Sequence, residues 1–103
     1  MAEKMTVVHE LKTWPVYFDA VKRGEKTFEV RRDDRGFQKG DTVRLLRTRE
    51  DDPFLVEYPY KRGSGPSHVI EREITWILTG GQFGIEPGYV VLGQVPRPRR
   101  GPP

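Results

Sequence analysis

Apolar and polar positions alternate along most of this chain, and the alternation gives way to a helical spacing near its start. "MTVVHEL" is β-branched and apolar and predicts a first strand, with Val7, His9 and Leu11 on one side. "TWPVYFDAVKRG" changes period. Trp14, Phe18 and Val21 stand four and three residues apart and so share one helical face, flanked by Tyr17 and Ala20. Thr13 or Trp14 can cap this helix, Pro15 suits its first turn, and Gly24 can close it in the left-handed conformation. Lys22 and Arg23 fall in the last turn, where positive charge complements the helix dipole. "KTFEVRR" predicts a second strand, with Phe28 and Val30 toward the core and Thr27, Glu29 and Arg31 on the other side.

Further along, "DDRGFQKGD" is a loop with turn signals at Arg35-Gly36 and Gly40-Asp41, and "TVRLLRTR" is a third strand. Residues 50–67 form a long excursion, with a strand expected around Leu55 to Tyr58 and a mobile tip at "KRGSGPS". In "HVIEREITWIL", Ile70, Arg72, Ile74, Trp76 and Leu78 alternate with Glu71, Glu73, Thr75 and Ile77. "TGGQFGIEPG" is a glycine-rich turn with Phe83 expected beneath it, and "YVVLGQV" is a last, central strand. One helix cannot cover both faces of an open parallel sheet. The prediction is therefore an α+β fold: a mostly antiparallel, strongly twisted or closed sheet, with one main helix after the first strand. Residues 1–95 read as one domain and residues 96–103, "PRPRRGPP", as a disordered basic tail.

Composition narrows the picture. The chain has 103 residues, 35% hydrophobic and 32% charged, enough for one modest core. No apolar run approaches the ~20 residues that a bilayer-spanning helix needs, and no leader-like segment is visible, so a cytoplasmic location without membrane contact is expected. The absence of cysteine excludes disulfides, thiolate zinc sites, iron–sulfur clusters and a cysteine nucleophile. His9 and His68 are too far apart to suggest a histidine-rich metal site, and no cofactor is implied. The net charge of +3 resides in the tail, because without Arg97, Arg99 and Arg100 the chain carries 15 basic and 15 acidic residues.

The densest chemistry lies in "GEKTFEVRRDD", with seven charged side chains in eleven residues. An ammonium, a hydroxyl, a carboxylate and a guanidinium, from Lys26, Thr27, Glu29 and Arg31, could converge there. Such a set can read a base edge or phosphate, or hold a proton-transfer pair. The plainer alternative, which pattern alone favours, is a solvated strand face with a weak ion pair. Lys12 and Trp14 stand at the strand-to-helix junction, where one could meet a phosphate and the other stack on a base. Trp14 could equally anchor the helix through its stripe position. Arg35 is placed either to contact phosphate or to pair with Asp33 or Asp34. His9, alternating with Val7 and Leu11, reads as a hydrogen-bonded structural histidine. "TGGQFG" lacks the lysine of a phosphate-binding P-loop. The paired acids Asp33, Asp34, Asp51 and Asp52 lack the spacing of a calcium loop, so no metal is expected.

"GEKTFEVR" places Gly24, Lys26, Glu29 and Arg31 in the arrangement G-x-K-x-x-E-x-R. Together with "HELKTWPVYFDAV", "DDRGFQKGD" and "LTGGQFGIEPGYVVLG", it resembles ASCH domains, small β-barrels related to the PUA RNA-binding fold. Within them it is similar to small uncharacterised proteins often found in bacteriophages and bacteria. The resemblance covers residues 7–94 apart from the long loop. It implies a PUA-like barrel with a cleft beside the first helix, and RNA or a nucleotide as the partner. Lys12, Trp14, Lys26, Thr27, Glu29, Arg31 and Arg35 would line or rim that cleft, with His9 behind them. Some relatives hydrolyse an acetylated cytidine with the motif lysine and a threonine three residues later. Here that position holds Glu29, which argues against this activity and for binding. Two alternatives remain: a hydrolase of nucleosides, nucleotides or RNA with Lys26 and Glu29 as its acid–base pair, and a phage protein that docks a host factor through an exposed "FLVEYPY" patch.

Overall fold

A computed structural model describes residues 6–56 and 68–96 of the chain. Within them lie β1 (Val8–Thr13), α1 (Pro15–Lys22), β2 (Phe28–Arg32), β3 (Thr42–Arg47), β4 (Val69–Thr79) and β5 (Tyr89–Pro96). The five strands form one sheet in the order β1-β3-β4-β5-β2, curled into a half-barrel. β1 and β3 run parallel, and the other three pairings are antiparallel. The expected α+β architecture with one helix after the first strand is therefore present. The expected tip at 61–67, Tyr58 and the tail from residue 97 lie outside the described residues. Pro96, expected in the tail, belongs instead to β5 and stands opposite Arg72.

The helix begins where the sequence places it. Trp14 has extended backbone (φ −61°, ψ 146°), and its carbonyl accepts from the Tyr17 and Phe18 amides at 3.0 and 2.8 Å. Pro15 follows at the first helical position, where an amide hydrogen would lack a partner anyway. Gly24 ends the turn at φ +81°. Phe18 and Val21 are buried, and burying side chains of this size contributes about 1.5–3 kcal/mol each. Trp14 departs from the expected stripe. Its extended backbone takes it off the helical repeat, and it is 54% exposed, so it does not anchor the helix.

The core gathers Leu11 from β1, Phe18 and Val21 from α1, Val43 and Leu45 from β3, Ile70 and Ile74 from β4, Val90 and Leu92 from β5, and Phe37 from the β2–β3 loop. Among the described residues β2 adds no apolar side chain to it. Its buried residue is Glu29, while Phe28 and Val30 are 44% and 54% exposed. The expected facing of this strand is therefore inverted. β2 is an edge strand, and its inner side looks across a gap in the barrel where charge can be compensated.

Two other expectations fail for local reasons. In β4 the pairing steps from Ile74↔Gln94 to Trp76↔Gly93, a bulge that shifts the alternation by one residue. Ile74 therefore stays buried while Trp76 turns outward at 62% exposure and Ile77 packs against the core. Phe83 does not tuck under its loop. It is 86% exposed and adopts φ +52°, a region uncommon for a side chain of its size.

Candidate functional site

The two edges of the sheet, β1 and β2, are bridged by side chains. On β1 the odd-numbered residues bond to the neighbouring side, as the Val7 and Thr13 carbonyls show by accepting from the Thr42 and Thr48 amides at 2.9 Å each. The even-numbered carbonyls consequently face the gap. Arg31 donates from Nη1 to the Lys12 carbonyl at 3.0 Å, and Arg35 donates from Nη1 to the Glu10 carbonyl at 2.5 Å. Arg31 also donates from Nη2 to Thr13 Oγ1 at 3.2 Å. Two guanidiniums thus hold a seam that a closed barrel would fill with a strand-to-strand ladder.

Where this seam reaches the C-terminal end of β1, an open cavity of about 500 Å³ is lined by Lys12, Thr13, Trp14, Tyr17, Lys26, Phe28, Glu29, Val30 and Arg31. Its floor is a charge cluster. Glu29 is 2% exposed and accepts from Lys26 Nζ on Oε2 and from Arg31 Nη2 on Oε1, the latter at 3.0 Å. A carboxylate this deep is tolerable because both its oxygens meet cations. Lys26 also donates to the Phe28 carbonyl at 2.5 Å, and its ammonium lies 4.9 and 5.7 Å from the Phe28 and Tyr17 ring centres. At the rim, Trp14 and Tyr17 are about half exposed and lie nearly parallel, with ring centres 6.0 Å apart. Lys12 donates to the Phe54 carbonyl at 2.9 Å and so ties the excursion after β3 to the mouth.

The structure therefore brings Lys12, Trp14, Lys26, Glu29 and Arg31 together around one cavity. It does not bring in three others. Thr27 is exposed and off the cavity lining, and its carbonyl accepts from the Gln94 amide at 3.0 Å. Arg35 lies outside the lining, paired with Asp34 at 3.5 Å as well as bonded to β1. His9 also lies outside it. Its Nε2 bonds to Asp41 Oδ2 at 2.8 Å and its ring meets Phe37 at 4.7 Å, tying β1 to the β2–β3 loop. Burial acts to raise the Asp41 carboxyl, but bonds from His9 and from the Val7 and Gln38 amides outweigh it and hold it below the ordinary value. The hydroxyl in the cavity comes from Thr13, not Thr27. The β1 alternation of His9, Leu11 and Thr13 carries that signal, since all three are buried. Tyr17, Phe28 and Val30 also line the cavity, where the pattern predicts a helix flank for the first and the core for the other two. Phe54 and Leu55, in the expected apolar patch, are 76% and 49% exposed, and the rest of "FLVEYPY" from residue 57 lies outside the described residues. No described helix is long and apolar enough to cross a membrane.

Over 41 residues the chain is 44% identical to a protein of Escherichia phage P2 described as "Uncharacterized 12.9 kDa protein in GpA 3'region". That stretch is 40% of this chain and 38% of the phage protein, so well under two thirds of that relative is covered. A much longer match, residues 8–94, is to the family described as Domain of unknown function (DUF3850). It runs from the first residue of β1 into β5 and takes in every residue of the cavity lining, and on that match the chain belongs to the DUF3850 family.

Proposed function

We propose that this protein is a small RNA- or nucleotide-binding module of the ASCH type, with a PUA-like barrel, whose ligand occupies the cavity between β1 and β2. The observation that carries the reading is the pairing of an exposed aromatic rim, Trp14 and Tyr17, with a floor of Lys26, Glu29 and Arg31. Aromatic faces stack on bases irrespective of sequence, and cations meet phosphate or carbonyl oxygens. With Lys12 at the mouth, three cations face one carboxylate, so the cavity carries surplus positive charge although the chain without its last arginines is balanced. Glu29 holds Lys26 and Arg31 in place, since both its oxygens are engaged by them. A volume near 500 Å³ lies within the ordinary range of small-ligand sites.

Titration of the tryptophan fluorescence with single-stranded RNA, at two salt concentrations, tests this. The expected result is saturable quenching that weakens with salt and is lost in Lys26→Ala, with the loss in Trp14→Ala, which lacks the cavity's fluorophore, read instead from the anisotropy of end-labelled RNA. If both variants bind like the parent, the cavity is not the site. The direct contact of Lys26 with Glu29 favours one second reading, an acid–base pair for hydrolysis of a nucleoside, nucleotide or RNA. In that case Glu29→Gln abolishes turnover while binding persists; the absence of any product from modified nucleosides and RNA rejects it.

A further inference from the structure

Among the described residues, the edge of β2 carries a pair of backbone groups without a hydrogen-bond partner at a residue that lines the cavity. β2 bonds to β5 through alternate residues. The Gln94 amide donates to the Thr27 carbonyl at 3.0 Å and the Asp33 amide to the Gly88 carbonyl at 2.8 Å, with Glu29 opposite Leu92 and Arg31 opposite Val90 between them. In an antiparallel ladder the residues that exchange bonds alternate with residues whose amide and carbonyl point the other way. Phe28, Val30 and Arg32 are the latter. Among the described residues no strand lies on their side, because β2 ends the sheet.

Their carbonyls are not left alike. Lys26 Nζ donates to that of Phe28 at 2.5 Å, and the Asp34 amide donates to that of Arg32 at 3.0 Å. Across the seam, Arg35 and Arg31 donate to the outward carbonyls of Glu10 and Lys12. Val30 lies between the two satisfied positions on β2, and it is a lining residue of the cavity. Its amide and carbonyl thus form a donor and an acceptor side by side on the edge of β2 away from β5, at a cavity rimmed by Trp14 and Tyr17 and floored by the charge cluster.

We propose that Val30, through its main chain, reads the pairing edge of an unpaired nucleobase held in this cavity. The proposal rests on the nucleotide-binding reading above and adds what is recognised. Every nucleobase offers an acceptor next to a donor on its pairing edge, and an edge-strand residue offers the complement. Such a contact requires that edge to be exposed, so the ligand class is a mononucleotide or single strand, and a duplex is excluded. Phosphate and stacking contacts alone carry no such requirement.

The test uses the full chain and two kinds of probe. Unmodified single-stranded RNA is compared with RNA methylated on the pairing edges of its bases, and with the same sequence as a duplex. Val30→Pro then removes the amide donor on the protein side, a substitution that an edge strand accepts where the amide faces away from the sheet. The expected result is a loss of about tenfold or more on methylation and in Val30→Pro, the scale of a lost base-edge contact, and no cavity binding of the duplex. Equal affinity for methylated and unmethylated strands overturns the inference while leaving RNA binding intact. Failure of the parent protein to bind any of the three overturns the broader reading with it. Should Val30→Pro unfold, which circular dichroism would reveal, equal affinity for the methylated and unmethylated strands still overturns the inference.

Discussion

Replacing Glu29 by glutamine tests whether the charge cluster is a built feature of the fold or a decorated surface. The substitution keeps the volume and one carbonyl oxygen but removes the charge between Lys26 and Arg31. The side chain of Glu29 is 3% exposed, whereas those of Lys26 and Arg31 are 18% and 24% exposed. Hydrogen bonds to charged groups contribute roughly 1.5–3 kcal/mol each, and one of the two is lost outright. Breaking a fully buried pair costs about 3–5 kcal/mol. The partial exposure of both cations lets water screen them, so the expected loss is nearer the bottom of these ranges, about 2 kcal/mol. For a domain of this size that corresponds to a fall in Tm of roughly 8–16 °C. Urea denaturation followed by tryptophan fluorescence reads it directly, with an unchanged slope if the unfolded state is unaffected. A second substitution, Lys26→Met in the same chain, should recover part of the loss by removing one of the two facing cations. Glu25→Gln is the control, because the Arg23–Glu25 pair at 2.9 Å is exposed at both ends and its loss should not be measurable. A loss below about 0.5 kcal/mol for Glu29→Gln, the level of an ordinary surface change, would refute the argument and return β2 to a solvated strand.

Three further outcomes follow from other parts of the fold. The Asp41 carboxyl is held below its ordinary value, so the unfolded chain takes up this proton first as pH falls. The stability it contributes is present above the unfolded value, about 3.9, and is lost as pH drops through the folded one; Asp41→Asn should lower stability at neutral pH and flatten the acid limb of a stability–pH curve, and parallel curves would reject this. A Cβ on Gly80 would sit 2.1 Å from the Glu86 carbonyl oxygen and 2.6 Å from that of Tyr89, so Gly80→Ala should cost about 1–3 kcal/mol by overpacking against backbone; a thermal melt indistinguishable from the parent would contradict the loop geometry. Gln94 is 4% exposed and neither amide atom has a hydrogen-bond partner among the described residues, so Gln94→Met should raise stability by about 1 kcal/mol in urea denaturation; a loss of stability would mean the amide is satisfied in solution.

The elements were legible because their signals are local. Pro15 and Gly24 bracket the helix, Gly36 and Gly40 mark the turns with positive φ, and each described strand core falls inside an alternating or β-branched apolar run. What the pattern could not carry was which side of a strand faces inward when the strand ends a sheet. "KTFEVRR" reads as amphipathic with Phe28 and Val30 inside, and that inference assumes a hydrophobic interior behind the strand. β2 instead has a gap behind it, visible only once β1 and β2 are known to be the two sheet edges. The Thr75 bulge was equally invisible, because the alternation of Ile74, Trp76 and Leu78 is unbroken in sequence and only the register with β5 interrupts it. The site is legible as residue types and not as a place: Lys26, Glu29 and Arg31 share one short motif, whereas Thr13 and Tyr17 join them only through the fold.

The seam itself gives a reason for the spacing of the motif. Had β1 and β2 paired through their backbones, the strands would lie about 4.8 Å apart and no cavity could form between them. Left unbridged, two open edges would present unpaired main-chain groups, a template for association with other chains. A guanidinium satisfies both demands, because it reaches a carbonyl across a wider gap than an amide can. Arg31 meets Lys12 in this way and Arg35 meets Glu10, two residues apart on β1 as the pleat requires. Bringing Arg31 inward also puts Glu29, two residues before it, on the inner side of the same strand. There Glu29 neutralises the arginine and draws in Lys26, whose stem crosses from the turn after the helix. The K-x-x-E-x-R spacing is thus what an edge strand needs to stand apart from its opposite edge while remaining fixed to it. The space so held open is the cavity.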